Sequence, residues 1–264
     1  MRPFSQGHHG FMGPLAALLA AASLLASCAN RPETLATPPP AKSIAIVASV
    51  PPQIRIGTKA AIIENTLDIV DVPEWHLDDV AANAATEVLS TRYKVNRATL
   101  NGWVFDDDSK LDKAVNQTWS IEDEVRTHAH VDNPVDLYLV ITRSNTADPY
   151  LGDYQKGFIG VGISKWWNIF TTMPPLAHTY LQMTVSDGKT FKVIASTTLE
   201  DAPRKTGAFN LFEVSAPTEE LEGFEWKDYW HEMTEAQHTF VHDHIVNLLR
   251  RSIIYTVKKM KLVS

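Results

Sequence analysis

The sequence predicts an α/β (α+β) fold: a single mixed β-sheet with two or three packed helices, in the order β-α-β-α-β-β-β-α. Three observations predict it. Residues 43–50, SIAIVASV, and 135–143, VDLYLVITR, are nearly unbroken apolar runs rich in β-branched side chains, the pattern of strands covered on both faces. Residues 73–92 and the stretch from 229 to about 259 instead repeat apolar side chains at helical spacing. Finally, residues 177–185 and 190–199 flank Ser186-Asp187-Gly188-Lys189, and Asp-Gly at the centre of a short loop predicts an antiparallel hairpin closed by a type I′ turn.

The elements run in order along the chain. Residues 29–42 lack apolar periodicity and contain Pro32 and Pro38-Pro39-Pro40. A proline run prefers the extended form at about 3.1 Å per residue, so they read as a tether of up to roughly 40 Å. The first strand, 43–50, stops at Pro51-Pro52. Residues 53–57 and 66–72 read as a loose hairpin. A helix then opens at Pro73, with Glu74, Asp78 and Asp79 near its N-terminal end and Leu77, Val80, Ala81, Ala84, Val88 and Leu89 on one face. Residues 93–98 form a short strand and complete a β-α-β unit.

Ser120 with Asp123 three residues on starts a second helix, in which Ile121, Val125, His128 and Ala129 share a face, and Asn133-Pro134 ends it. The strand 135–143 comes next. Residues 144–175 combine Gly152, Gly157, Gly160 and Gly162 with Tyr150, Tyr154, Phe158, Trp166, Trp167 and Phe170, and a connection so long points to a contact-making segment. Its regular parts are expected at 157–163, as strand, and at 164–170, as a helical turn. Past the hairpin, residues 200–225 read as a surface loop with an acidic edge at Glu219, Glu220 and Glu222. The terminal helix carries an apolar stripe, Phe240, Val241, Ile245, Leu248, Leu249, Ile253 and Val257, and gathers Arg250, Arg251, Lys258, Lys259 and Lys261 toward its C-terminal end.

The order of these elements bears on location only through what precedes them. Arg2 is the one charge before residue 28, residues 11–26 are apolar or small apart from Ser23, and Leu25-Ala26-Ser27-Cys28 comes directly after with the only cysteine of the chain. The run is short for a membrane-spanning helix, which needs about 20 residues. LASC resembles the lipobox of bacterial lipoproteins at every position. That resemblance implies cleavage between Ser27 and Cys28, lipidation of Cys28, and a periplasmic domain tethered to a membrane. Ala29 after the cysteine resembles the outer-membrane sorting pattern of enteric bacteria, which implies the periplasmic face of the outer membrane. The expected organisation is a signal peptide at 1–27, the lipidated cysteine and tether at 28–42, and one α/β domain at 43–264 with an aromatic, glycine-rich insertion at 144–175. The element order resembles the small α/β module of curli-secretion-type lipoproteins, of penicillin-binding-protein activators and of the N-terminal part of the Tol-system translocation protein. That likeness implies a fold and little about function.

Loss of residues 1–27 removes Arg2 and takes the formal charge from −7 to −8, a balance that argues against nucleic acid as a partner. No cysteine follows Cys28, so neither disulfides nor thiol catalysis are open to the domain. Seven tryptophans and 44% apolar residues supply a core instead.

No pattern in the sequence names a catalyst, a metal site or a cofactor. His238 and His242 stand at i and i+4, one face of a helix and two ligands of a metal site with Glu235 or Asp243 near, yet the zinc-protease order fails because Thr239 follows His238. His128 lies on a core stripe. Asp106-Asp107-Asp108 is followed by Lys110 and Leu111 where a calcium loop requires an oxygen ligand and glycine. Gly157, Gly160 and Gly162 do not have dinucleotide-loop spacing. The expectation is therefore a lipid-anchored envelope protein, not an enzyme, that acts through an envelope protein partner or self-association. Its contact surface is expected at Trp166, Trp167, Phe158 and Phe170. A metal protein using His238 and His242, or a small-ligand module, is the alternative.

Overall fold

The computed structural model describes residues 34–37, 39–60, 66–100, 121–143, 160–167, 174–206, 212–214 and 216–263. Its fold is α/β around a mixed sheet. In chain order the elements are β1 Ser43–Ser49, β2 Gln53–Ala60, β3 Thr66–Asp71, α1 Leu77–Leu89, β4 Lys94–Arg97, β5 Thr99–Leu100, α2 Ile121–His128, β6 Ala129–His130, β7 Leu137–Arg143, β8 Gly160–Trp167, β9 Leu176–Asp187, β10 Val193–Thr198, β11 Arg204–Thr206, β12 Phe212–Val214, β13 Thr218–Glu220 and α3 Glu235–Lys259. The sheet runs β3-β2-β8-β9-β7-β1-β4, with β10 and β13 also paired to β9, while β5-β6 and β11-β12 are separate two-stranded ribbons.

The long strand β9 organises the sheet. Its first half pairs antiparallel with β8 and β13, its second half with β7 and β10. Leu181 accepts a hydrogen bond from the Leu199 N–H and the Thr179 N–H donates to the Pro217 carbonyl, so the β10 and β13 sides coincide and β7 and β8 share the other. Arg143 stands opposite Leu181 and Gly160 opposite Tyr180; β8 therefore resumes the line that β7 leaves. β1 and β2 run beside that line, parallel to β7 and β8, and are separated at Pro51-Pro52.

Helices cover both faces of the β1–β7 half. On one face α1 and α3 bury Leu77, Ala81, Leu89, Val241, Ile245, Leu248, Leu249, Ile253 and Val257 against Ile44, Ile46, Leu139, Ile141, Met183 and Val185. Each Ile or Leu so buried contributes roughly 1.5–3 kcal/mol. On the other face α2 sets Ile121 and Val125 against Ala45, Val47, Tyr138 and Val140. α3 begins at a complete capping box, Thr234 with Gln237, which fixes its start later than the periodicity from residue 229 suggested. Trp230–Glu232 is a separate 3-10 turn.

Further details depart from the sequence expectations. The strand β8 extends through Trp167 where a helical turn was expected from residue 164, because Ser164, Lys165, Trp166 and Trp167 pair with Gly57, Thr58, Lys59 and Ala60. The hairpin loop is longer than a type I′ turn: the Phe191 N–H donates to the Asp187 carbonyl at 2.9 Å, and the Asp187 carboxylate accepts from the Lys189 and Thr190 N–H groups. Gly188 is required by proximity, since a Cβ there would collide with the Val135 carbonyl. α2 ends at His128, well before Asn133, because Ala129 and His130 turn into a ribbon with Leu100 and Thr99. Glu219 and Glu220, expected in a loop, belong to β13 and pair with Ala177 and Leu176.

The proline-rich segment also differs, since its second half lies on the domain. The Leu35 N–H donates to the Met260 carbonyl at 3.4 Å, Arg92 donates to the Pro39 carbonyl at 2.9 Å, and the Lys42 and Ser43 N–H groups donate to Asp136 at 2.8 and 3.0 Å. Those two backbone donors hold the Asp136 carboxyl below its ordinary range. Leu35 and Ala41 pack against the core. In sequence, residues 29–34 separate Cys28 from this docked stretch.

Candidate functional site

The tether docks beside the C-terminal end of α3. At the opposite end of the sheet the last β2–β8 pairs are Lys59 with Trp166 and Ala60 with Trp167, so the backbone positions of these two tryptophans are the sheet's far rim. Ser27, Cys28, Phe158 and Phe170 lie outside the described residues.

A loop is pinned to that rim. Asp228 accepts from the Thr58 hydroxyl at 2.5 Å, from the Trp226 indole N–H at 2.9 Å and from the Thr66 hydroxyl at 3.4 Å. The Thr58 bond is the main reason its carboxyl sits below the ordinary range. Two residues on, the Trp230 N–H donates to the Asp68 carboxylate of β3 at 2.9 Å. Around this junction are the exposed large apolar side chains of the described residues: Leu67, 44% exposed, Ile69, 43%, and Tyr229, 42%.

The histidines of α3 each engage a different neighbour. His238 stacks on Trp230 with ring centroids 3.9 Å apart, and its Nε2 is 3.1 Å from the Trp230 carbonyl oxygen. His242 meets the edge of Trp75 at 5.0 Å, with Nδ1 2.9 Å from Asp243. Trp75 and Trp230 make an edge contact at 5.9 Å, so the two rings are joined through aromatics. Among the described residues no three His, Cys, Asp or Glu side chains are grouped to hold a metal ion. His244 belongs to an ion-pair network: it bonds Glu219 at 2.8 Å, and Arg251 reaches both Glu219 at 2.6 Å and Asp201 at 2.7 Å. Burial would raise the Glu219 carboxyl, but Arg251 and His244 together hold it below its ordinary value.

Sequence reasoning missed a buried basic group at the middle of the sheet. Arg55 on β2, Arg143 at the end of β7 and His178 on β9 are all nearly inaccessible, and His178 stacks on Tyr180 at 5.4 Å. Gly162 lies between Arg55 and His178 in register, and a Cβ at that position would collide with the Arg55 carbonyl. Burial, reinforced by the Arg55 charge, lowers the His178 pKa to about 3, so the ring is neutral at physiological pH. The same two causes bring Arg143 down to about 10, still charged. The signal was present in Gln53-Ile54-Arg55-Ile56, whose alternation predicts that Arg55 faces away from Ile54 and Ile56, though not that it is covered.

A crevice of about 490 Å³ opens where β1 and β4 end, between Ser49, Asp78 of the first turn of α1, Arg97 and Leu100. The strands β4, β1 and β7 are parallel, with α1 and α2 on opposite faces; the crevice lies at the β1–β4 side, away from the β1–β7 switch point where doubly wound sheets commonly bind ligands. Arg97 is committed there to a close ion pair with Asp79.

Comparison with known proteins adds a loose likeness. No family model matches the chain. No curated protein matches it either. Among solved structures it is similar to the crystal structure of protein XCC0632 from Xanthomonas campestris, of the family DUF330, at 12% identity over 86% of this chain and 90% of that one, with a TM-score of 0.38. A likeness at that level assigns neither a family nor a function.

Proposed function

We propose that the chain is a lipid-anchored cell-envelope protein of the bacterial periplasm that works by contact with other proteins, as an accessory or assembly component. One observation carries the reading: Leu25-Ala26-Ser27-Cys28 closes an apolar leader. Acyl chains contribute about 0.8 kcal/mol per buried CH₂, and more than one chain gives stable attachment. A cysteine lipidated by the lipoprotein route exceeds that requirement.

The far rim supports the contact half of the proposal. It combines exposed Leu67, Ile69 and Tyr229 with the backbone positions of Trp166 and Trp167, and Trp and Tyr are enriched among residues that dominate interface energy. The contact half of the reading rests on this surface chemistry alone. The double substitution Trp166→Ala with Trp167→Ala tests it. The expected outcome is a thermal midpoint within a few degrees of wild type together with reduced cross-linking to partners in intact cells. A large fall in the midpoint with cross-linking unchanged would place both residues in the core and remove the rim as the contact surface.

A further inference from the structure

We infer that β3 is a homotypic docking edge, at which a second copy of the chain adds its own β3 antiparallel across a two-fold axis at Ile69. The proposal deepens the interaction reading by naming a partner, and does not depend on the lipid anchor. Among the described residues no strand pairs with the outer edge of β3. The phase of that edge is fixed by one bond: the Val72 N–H donates to the Pro52 carbonyl at 2.7 Å, and the β2–β3 register continues from there without a shift. Antiparallel pairing alternates inward and outward groups, so Thr66, Asp68 and Val70 bond to β2, while the N–H and C=O groups of Leu67, Ile69 and Asp71 point outward. Those same three residues are the exposed ones of the strand. An edge with exposed backbone donors and apolar side chains is a template for another strand.

A second copy fits this template about a two-fold axis at Ile69. With Ile69 opposite Ile69, Leu67 falls opposite Asp71, and every outward N–H and C=O of the three residues finds a partner in one register. The two Ile69 side chains then cover each other on one face. No carboxylate stands directly opposite its equivalent: Asp68 falls opposite Val70 and is already bonded to the Trp230 N–H, and Asp71 accepts from Gln53 at 2.9 Å within its own sheet. A contact of this kind is isologous and closes at two copies. One short strand buries less than a standard interface, so the pair is weak and dissociates on dilution.

Disulfide trapping reads the register directly. Residues directly opposite in a bonded antiparallel pair have Cα atoms about 5.5 Å apart, within the range a disulfide spans. The full chain carrying Ile69→Cys, expressed in membranes and treated with a mild oxidant, is expected to become predominantly a dimer of twice the chain mass. Wild type, whose sole thiol is Cys28, sets the background. Leu67→Cys alone and Asp71→Cys alone are expected to stay monomeric, whereas co-expressing the two gives a mixed disulfide. Carrying Cys28→Ala with Ile69→Cys separates the two claims, because the dimer persists there whether or not the chain is lipidated. Monomeric Ile69→Cys overturns the proposal, as does dimerisation of Leu67→Cys to the same extent. An adduct of another mass would mean that a different protein's strand occupies the edge, and overturns it too.

Discussion

At the residue scale His178 is the most informative side chain. Its folded-state pKa is about 3, against an ordinary value of 6.5, so the unfolded chain takes up a proton over a range in which the folded chain refuses it. The stability this gives is fully present above about pH 6.5 and is lost as pH falls toward 3, at up to ~1.4 kcal/mol per pH unit. Wild type should therefore lose thermal midpoint steeply between pH 6 and pH 4, and His178→Gln should flatten that dependence. An unchanged slope in the variant would show that His178 accepts a proton in the folded state. This residue was not legible beforehand. Alternation assigns His178 to the face opposite Ala177 and Thr179, but a polar residue on an alternating strand reads as solvated, and its burial depends on β8 and β2 joining from elsewhere in the sequence. The same holds for Arg55, whose cover is not encoded in its own strand.

At the scale of elements, legibility tracked the strength of the local signal. The apolar runs of β1 and β7 and the stripe of α3 are buried as their periodicity required. The stretch 164–167 carried no decisive period, and its strand state came from pairing with β2, a non-local cause that no local pattern records. The histidines of α3 show the converse. Their i, i+4 spacing predicted one shared face, while what meets that face, Trp75 and Trp230, comes from two distant segments. The α3 stripe gives a direct energetic prediction. Ile245 and Leu249 are fully buried, so replacing either by Ala should cost about 2–5 kcal/mol in denaturant unfolding. His242→Ala, at a ring contact near the surface, should cost about 1 kcal/mol or less, since an edge contact is worth ~0.5–1.5 kcal/mol. Equal losses at His242 and Leu249 would make the histidine a core residue.

At the scale of the whole molecule the sequence predicted the class of fold and the succession of its main elements, and left the joins unread. Two strand lines, β1 with β2 and β7 with β8, pass through both halves of one sheet, a continuity that appears only once β9 pairs with both. The tether is similar: its composition indicated an extended chain, but docking of Leu35, Pro39 and Lys42 on Met260, Arg92 and Asp136 depends on residues far away in sequence. No helix of the described residues is long and apolar enough to cross a membrane; the proposed attachment is through Cys28. Metabolic labelling with radioactive palmitate tests that most directly. The account predicts label on the wild-type chain and none on Cys28→Ala, which persists as an uncut precursor or is released. Wild-type protein without label, or Cys28→Ala labelled as strongly as wild type, would contradict it.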